Sequence, residues 1–127
     1  MVQLFKEDIK TPEVLAWKGV HLFHFSGSSC SQKTRIVLNL KGIEWISHPI
    51  NLLKAENYSQ RYLGINPRGL LPALVHNGDV HIESNDIVSY LDDTFETPKL
   101  IPSKYRGRIL EQLNTEDELH LALRTLT

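Results

Sequence analysis

Ser28-Ser29-Cys30-Ser31-Gln32-Lys33-Thr34-Arg35-Ile36-Val37-Leu38 follows a short apolar run, His21-Leu22-Phe23-His24-Phe25. The two together read as a strand, a sharp turn and a helix. A row of small hydroxyls and the only cysteine of the chain stand where that helix begins. The first turn of a helix has N–H groups without partners and carries partial positive charge, which stabilises an anion such as a thiolate. Serines before a helix are in the ordinary case only caps, and a lone cysteine is more often a small buried apolar side chain than a nucleophile. Taken alone, the turn favours that plainer reading.

A second stretch shifts the balance. Asn66-Pro67-Arg68-Gly69-Leu70-Leu71-Pro72-Ala73-Leu74-Val75-His76 runs into Asn77-Gly78, and Asp79-Val80-His81-Ile82-Glu83-Ser84-Asn85-Asp86-Ile87 follows. Asn-Gly between apolar runs marks a hairpin, with strands at 73–76 and 80–82. Pro72 opens the first strand, where its missing N–H is tolerated. Glu83 to Asp86 then cap a helix over 85–95, whose Ile87, Val88, Leu91 and Phe95 follow helical spacing. A strand entered through proline, a hairpin and an acidic cap together suit an extended, peptide-like ligand. The strand edge offers backbone donors and acceptors, and the cap offers a carboxylate, a hydroxyl and helix N–H groups.

Outside these stretches the pattern is that of an α/β domain with a mixed sheet. Residues 1–19 form an extension with one helical turn, Thr11 as its cap and Pro12 in the first helical position. Strand 20–25, helix 28–41 closed by Gly42, strand 45–51 and a weakly helical 55–63 precede the hairpin, and Pro49 marks the second strand as an edge. Pro98 and Pro102 punctuate a linker at 97–103. Residues 104–127 return to helical spacing, with Ile109, Leu110, Leu113, Leu119, Leu121, Ala122, Leu123 and Leu126. The 127 residues suit one ordinary domain plus this tail, and 41% hydrophobic content suffices for a core. A net charge of −1 gives no electrostatic case for nucleic acid or an anionic membrane. A single cysteine excludes an internal disulfide, and the charged start of the chain is no secretory signal, so a reducing, cytoplasmic setting is expected. His21, His24, His76 and His81 lack the Cys/His spacing of a zinc site and read as cross-strand or surface residues.

The ordered segments 28–38, 66–74 and 83–91, with Gly42-Ile43-Glu44-Trp45 between them, resemble the N-terminal domain of the cytosolic glutathione transferases over residues 20–102. The flavour is that of the serine- and cysteine-type classes (zeta, theta, tau, omega, beta). Ser28-Ser29-Cys30-Ser31 is similar to zeta members, and Asn66–Pro72 with Glu83-Ser84 is similar to omega and beta members. No tyrosine ends the first strand, where His24 and Phe25 stand.

The resemblance implies a thioredoxin-like β-α-β-α-β-β-α domain over 20–96, a linker at 97–103, and the first helical segment of a truncated all-α domain at 104–127. It implies glutathione as co-substrate, no metal, and Ser28 as the group that activates the glutathione thiol, with Cys30 as a rival that aligns with the beta-type cysteine. Leu71, ahead of a cis Pro72, would pair its backbone with the cysteinyl part. Glu83 would take the γ-glutamyl ammonium and Ser84 its carboxylate. Leu70 stands where relatives carry a longer polar group, leaving Lys54 or Arg68 to supply positive charge for the glycyl carboxylate. The implied function is conjugation of a small electrophile, or an isomerisation, in a cytoplasmic homodimer, with weak or no turnover because the second-substrate pocket is incomplete. Two alternatives stand beside it: a non-catalytic glutathione-fold module for dimerisation or scaffolding, and a glutathione-dependent thiol oxidoreductase using Cys30, which no Cys-x-x-Cys motif supports.

Overall fold

Every residue from Val20 to Phe23 is buried, because β1 (Val20–His24) is an inner strand of a sheet covered on both faces. The computed structural model describes residues 3–126, with side chains up to His120. The sheet order is β2-β1-β3-β4, with β2 (Ile46–Pro49) parallel to β1, and β3 (Ala73–His76) and β4 (Asp79–Ile82) antiparallel. Phe23 stands opposite Ala73, and Val75 opposite Val80. Helix α1 (Ser29–Leu40), the short α2 (Gln60–Leu63), α3 (Ser84–Thr94) and α4 (Arg106–Leu126) complete the β-α-β-α-β-β-α order and its helical tail. Asn77 (φ 49°) and Gly78 (φ 86°) both lie in the left-handed region that the two-residue hairpin turn requires. A Cβ at Gly78 would also stand 2.3 Å from the Leu15 carbonyl oxygen.

Strand alternation divides the core in two. Val20, Leu22 and Leu74 pack with Leu38 of α1 and with Ile87 and Leu91 of α3. Phe23, Ala73, Val75, Val80 and Ile82 pack on the other face with Ile9, Val14, Tyr62 and Ile65. The segment ahead of β1, read from sequence as an extension, thus supplies two core residues. The Leu4 N–H also donates to the Val80 carbonyl (2.9 Å), covering part of the outer edge of β4. Thr11 does not cap the 3-10 turn Pro12–Ala16 as expected; its hydroxyl donates to the Arg61 carbonyl (2.6 Å) and ties the segment to α2. The weakly helical stretch 55–63 is not one element. Ser59, in extended conformation, divides it into a 3-10 turn at Glu56–Tyr58 and α2, and left-handed Ala55 (φ 55°) separates it from a further 3-10 turn at Leu52–Lys54. β2 is an edge strand, in keeping with Pro49, and is one residue shorter at its start and two at its end than expected.

Helices α1 and α3 lie side by side on the sheet. Near their C-terminal ends the Lys41 ammonium donates to Asp92 Oδ1 (2.9 Å), with both side chains fully buried. Lys41 also reaches the Pro98 carbonyl (2.7 Å), and Asp92 accepts the N–H groups of Leu100 (2.7 Å) and Ile101 (2.9 Å). One ion pair therefore joins α1, α3 and the segment leading to α4. α4 itself packs on α3. The apolar crowd expected at Leu121, Ala122, Leu123 and Leu126 lies outside the described side chains, while Leu119 is 63% exposed. No helix among the described residues is long and apolar enough to cross a membrane.

His21 and His81 are not surface residues. His21 bridges the Lys18 carbonyl (2.8 Å) and His48 (2.9 Å) and stacks on Trp17. His81 is 2% exposed, stacks on Tyr90, and neither ring nitrogen has a partner among the described residues.

Two stability predictions follow from these buried groups. Removing one partner of a buried pair strands the other charge at a cost of about 3–5 kcal/mol, so Asp92→Ala is expected to lower urea-unfolding stability by that amount. Burial pushes the Asp92 carboxyl up, but the Leu100 N–H, Lys41 and the Ile101 N–H outweigh it and hold the group below its ordinary 3.8. A depressed carboxylate stabilises the fold above its unfolded pKa and loses that contribution as pH falls through the folded value, so the wild type should lose stability below about pH 4. His81 sits below its ordinary 6.5 because of burial, against an opposing pull from Asp79. It therefore favours the fold above pH 6.5 and costs stability as the unfolded chain takes up its proton below that pH. His81→Phe keeps the stacking surface and removes two unpaired nitrogens, so it should raise stability by about 1–2 kcal/mol and flatten the profile between pH 5 and 7. A destabilised His81→Phe would contradict this assignment.

Candidate functional site

Ser28 occupies the N-cap of α1 in extended conformation, and its Oγ accepts the Ser31 N–H (3.2 Å). Accepting that bond leaves the hydroxyl proton for another acceptor, and it has none among the described residues. The buried Ser31 hydroxyl takes the Phe25 N–H (3.3 Å), and Arg35 Nη1 donates to the Phe25 carbonyl (3.2 Å) and to His24 Nδ1 (3.1 Å). With Nδ1 accepting, the proton of His24 sits on Nε2 and donates to Ser47 Oγ (2.6 Å). Burial and the adjacent Arg35 both lower the His24 pKa. Charge on α1 thus holds the turn that carries Ser28.

The second wall is the loop into β3, where the Leu71–Pro72 peptide is cis. Three side chains hold the loop by its carbonyls. Asn57 donates to Gly69 (2.8 Å), and Tyr62 (2.6 Å) and Asn66 (3.0 Å) both donate to Leu70. Burial raises the Tyr62 phenol, so it remains a donor throughout the neutral range. The Leu71 N–H and carbonyl make no hydrogen bond among the described residues, although the residue lies just before a strand. An extended ligand can pair with both.

The third wall is the start of α3. Glu83 takes the N-cap place with φ 71° and ψ 115° but makes no side-chain cap. A non-glycine residue held there is strained, a state that tends to cluster at ligand sites. Its carboxylate is ion-paired with Arg68. Ser84 is buried and is the first helical residue, one place later than a cap.

Two cavities join these walls. One, of about 320 Å³, is lined by Ser28, Ser29, Cys30, Leu52, Leu70, Leu71 and His120. The other, of about 20 Å³, is lined by Cys30, Asn66, Leu70, Leu71, Pro72, Glu83, Ser84 and Asp117. Cys30, Leu70 and Leu71 line both, so the two cavities adjoin and together mark a groove, called the channel below, from the N-terminus of α1 to that of α3. Of the residues singled out from sequence, Ser28, Cys30, Leu71, Pro72, Glu83 and Ser84 line this channel, while Lys54 and Arg68 do not. A larger cavity, about 880 Å³ between Lys10, Tyr58 and Arg61, contains none of them.

Sequence reasoning missed the contribution of α4. Leu113, Asp117 and His120 share one helical face. Asp117 and His120 line the channel, and the Leu113 carbonyl accepts the Asn85 side chain (2.7 Å). Lys33 bridges Asn85 (2.6 Å) and Glu116 (2.9 Å), docking α4 against α1 and α3. The spacing of 113, 117 and 120 was visible, but nothing in the sequence said which face would meet the channel.

The family profile of the glutathione S-transferase N-terminal domain matches residues 27–94. Glutathione S-transferase Z2 of Arabidopsis thaliana is 44% identical over 68% of this chain and 39% of its own length. Maleylacetoacetate isomerase of Mus musculus is 34% identical over 72% of this chain and 44% of its own. The crystal structure of human glutathione transferase theta-2, in complex with glutathione, superposes with a TM-score of 0.75 at 30% identity, covering 79% of this chain and 42% of that one. The chain thus spans less than half the length of each of these relatives. With the fold and the profile match in agreement, the chain belongs to the glutathione S-transferase family and carries its N-terminal domain.

Proposed function

We propose that this chain binds glutathione along the channel and activates its thiol for transfer to a small electrophile or for an isomerisation. The observation that carries the reading is the channel itself: it joins a hydroxyl at one helix N-terminus to a hydroxyl at another, past an unpaired strand edge at Leu71. The ligand's peptide would pair with Leu71, its γ-glutamyl end would reach Ser84 and α3, and its sulfur would reach Ser28. The relatives named glutathione S-transferase and maleylacetoacetate isomerase support both reaction types. Glu83, ion-paired with Arg68, would take the ligand's ammonium with its remaining acceptor capacity.

The chemistry needs a thiolate. Lowering a thiol pKa by about two units corresponds to about 2.7 kcal/mol between its two states. A hydrogen bond to a charged group supplies about 1.5–3 kcal/mol, and the end of a helix about 0.3–1 kcal/mol more. The Ser28 hydroxyl at the N-terminus of α1 combines both contributions. Cys30 lines the same channel two residues later, in the first turn of α1, and is the rival nucleophile: its thiolate would attack glutathione disulfide, forming the mixed disulfide and releasing one glutathione thiolate.

Titrating the ultraviolet thiolate absorbance of bound glutathione against pH tests this assignment. Wild type should show the thiolate about two pH units below free glutathione, Ser28→Ala should return it close to the free value, and Cys30→Ala should keep the shift. Loss of the shift in Cys30→Ala but not in Ser28→Ala would transfer the role to the cysteine.

A homodimer belongs to the same reading. Leu119 is 63% exposed on α4, and exposed leucines favour association at about 1.5–3 kcal/mol for each one buried. Light scattering at micromolar concentration should give twice the chain mass, and a monomer would contradict it.

A further inference from the structure

Phe25 is the first residue beyond β1, and no strand residue pairs with it. Its backbone groups are nonetheless fully engaged. The N–H donates to Ser31 Oγ (3.3 Å), and the carbonyl accepts the Ser28 N–H (3.0 Å) and Arg35 Nη1 (3.2 Å). The Ser28 bond closes the turn Phe25-Ser26-Gly27-Ser28, which ends at the N-cap of α1. Ser26 and Gly27, at the tip of that turn, are exposed, so the turn is held from its base. The two remaining bonds to Phe25 come from side chains of α1. Ser31 and Arg35 are four residues apart and therefore share one helical face. One takes Phe25 by its N–H and the other by its carbonyl. Ser31, which is fully buried, engages the turn a second time, because its own N–H donates to Ser28 Oγ (3.2 Å).

The use made of Arg35 is the second observation. A guanidinium matches a carboxylate in shape and charge. Arg61, Arg68 and Arg106 are all paired with carboxylates. Half-buried Arg35 has no acidic partner among the described residues. Its Nη1 goes instead to the Phe25 carbonyl and to His24 Nδ1 (3.1 Å), and His24 Nε2 continues to Ser47 Oγ on β2 (2.6 Å). The cation is thus spent on tying α1 to the end of β1. Neither Ser31 nor Arg35 lines the two cavities of the channel, so each acts through the turn between them and Ser28. The position of that turn matters, since a misplacement of about 1 Å in a reacting arrangement costs about a hundredfold.

We propose that Ser31 and Arg35 are positioning residues for thiol activation: by clamping the Phe25 backbone they fix the turn that presents the Ser28 hydroxyl to the glutathione sulfur. The inference rests on the glutathione reading above. It adds that the activating hydrogen bond is set from within α1, by two side chains that do not touch the ligand.

Titration of the bound glutathione thiol in a double-mutant cycle tests it. Arg35→Gln should raise the pKa of the bound thiol by about one unit, a thiolate-to-thiol ratio about tenfold lower at a given pH. Ser31→Ala should act in the same direction; it is a smaller change, and it keeps the proposal testable if Arg35→Gln fails to fold. In a Ser28→Ala background neither substitution should move the thiol further, because the group that they position is gone. A guanidinium acting directly on the thiolate by its charge would show its full effect in that background, and this result overturns the proposal. So does a bound thiol that titrates as in wild type in both single variants, even where their urea midpoints fall, since the two residues then serve the fold alone. A wild type whose bound thiol titrates like free glutathione overturns the activation reading itself, and this inference with it.

Discussion

The buried pair of Lys41 and Asp92 sets the register on which the site depends. Such a pair contributes little net stability, since desolvation offsets most of its attraction, so its effect lies in position. Lys41 follows the last turn of α1, and Asp92 lies in the last turn of α3. Near the opposite ends the two helices are joined again, by Lys33 and Asn85. Two cross-links in the same order make the helices parallel, so both N-termini fall on one side of the sheet. Their partial positive ends, with Ser28 on one and Ser84 on the other, then open into one channel. Through Pro98, Leu100 and Ile101 the same pair also fixes the path of the chain into α4, whose Asp117 and His120 close that channel.

Within this frame the site separates into donors and acceptors. Donors come from the two helix starts and from the hydroxyls that stand there. The strand edge at Leu71 contributes one N–H and one carbonyl, held in place because Asn57, Tyr62 and Asn66 engage the carbonyls just before it. Negative charge is confined to the α3 and α4 end, where Arg68 offsets half of it. An extended ligand with a thiol in its middle and a zwitterionic end matches this order of groups. Leu52 and Leu70 give the cavity that holds Ser28 an apolar wall.

Much of this was legible before any coordinates. Asn77-Gly78 determined the hairpin because only a left-handed pair closes so short a turn, and β3 matches its expected limits. The serine row and the Glu83-Ser84 pair pointed to the correct helix starts to within one residue. What was not legible depends on contacts distant in sequence. Ile9 and Val14 have no local pattern that distinguishes a packed segment from a loose extension; their burial comes from the far face of the sheet. The break at Ala55 is a left-handed conformation at an alanine, which has no compositional mark. His81 carries an imidazole into the core without a partner, against the usual rule that buried polar groups are satisfied. The Arg68–Glu83 pair and the Asp117 wall arise only once the loop, α3 and α4 converge.

The account stands or falls on where glutathione lies. A crystal structure of the chain with reduced glutathione would test it most directly. The account predicts the sulfur within hydrogen-bond reach of Ser28 Oγ, the cysteinyl backbone paired with Leu71, and the γ-glutamyl end at Glu83, Ser84 and the start of α3. A sulfur bonded to Cys30, or a ligand seated in the larger cavity between Lys10, Tyr58 and Arg61, would contradict it.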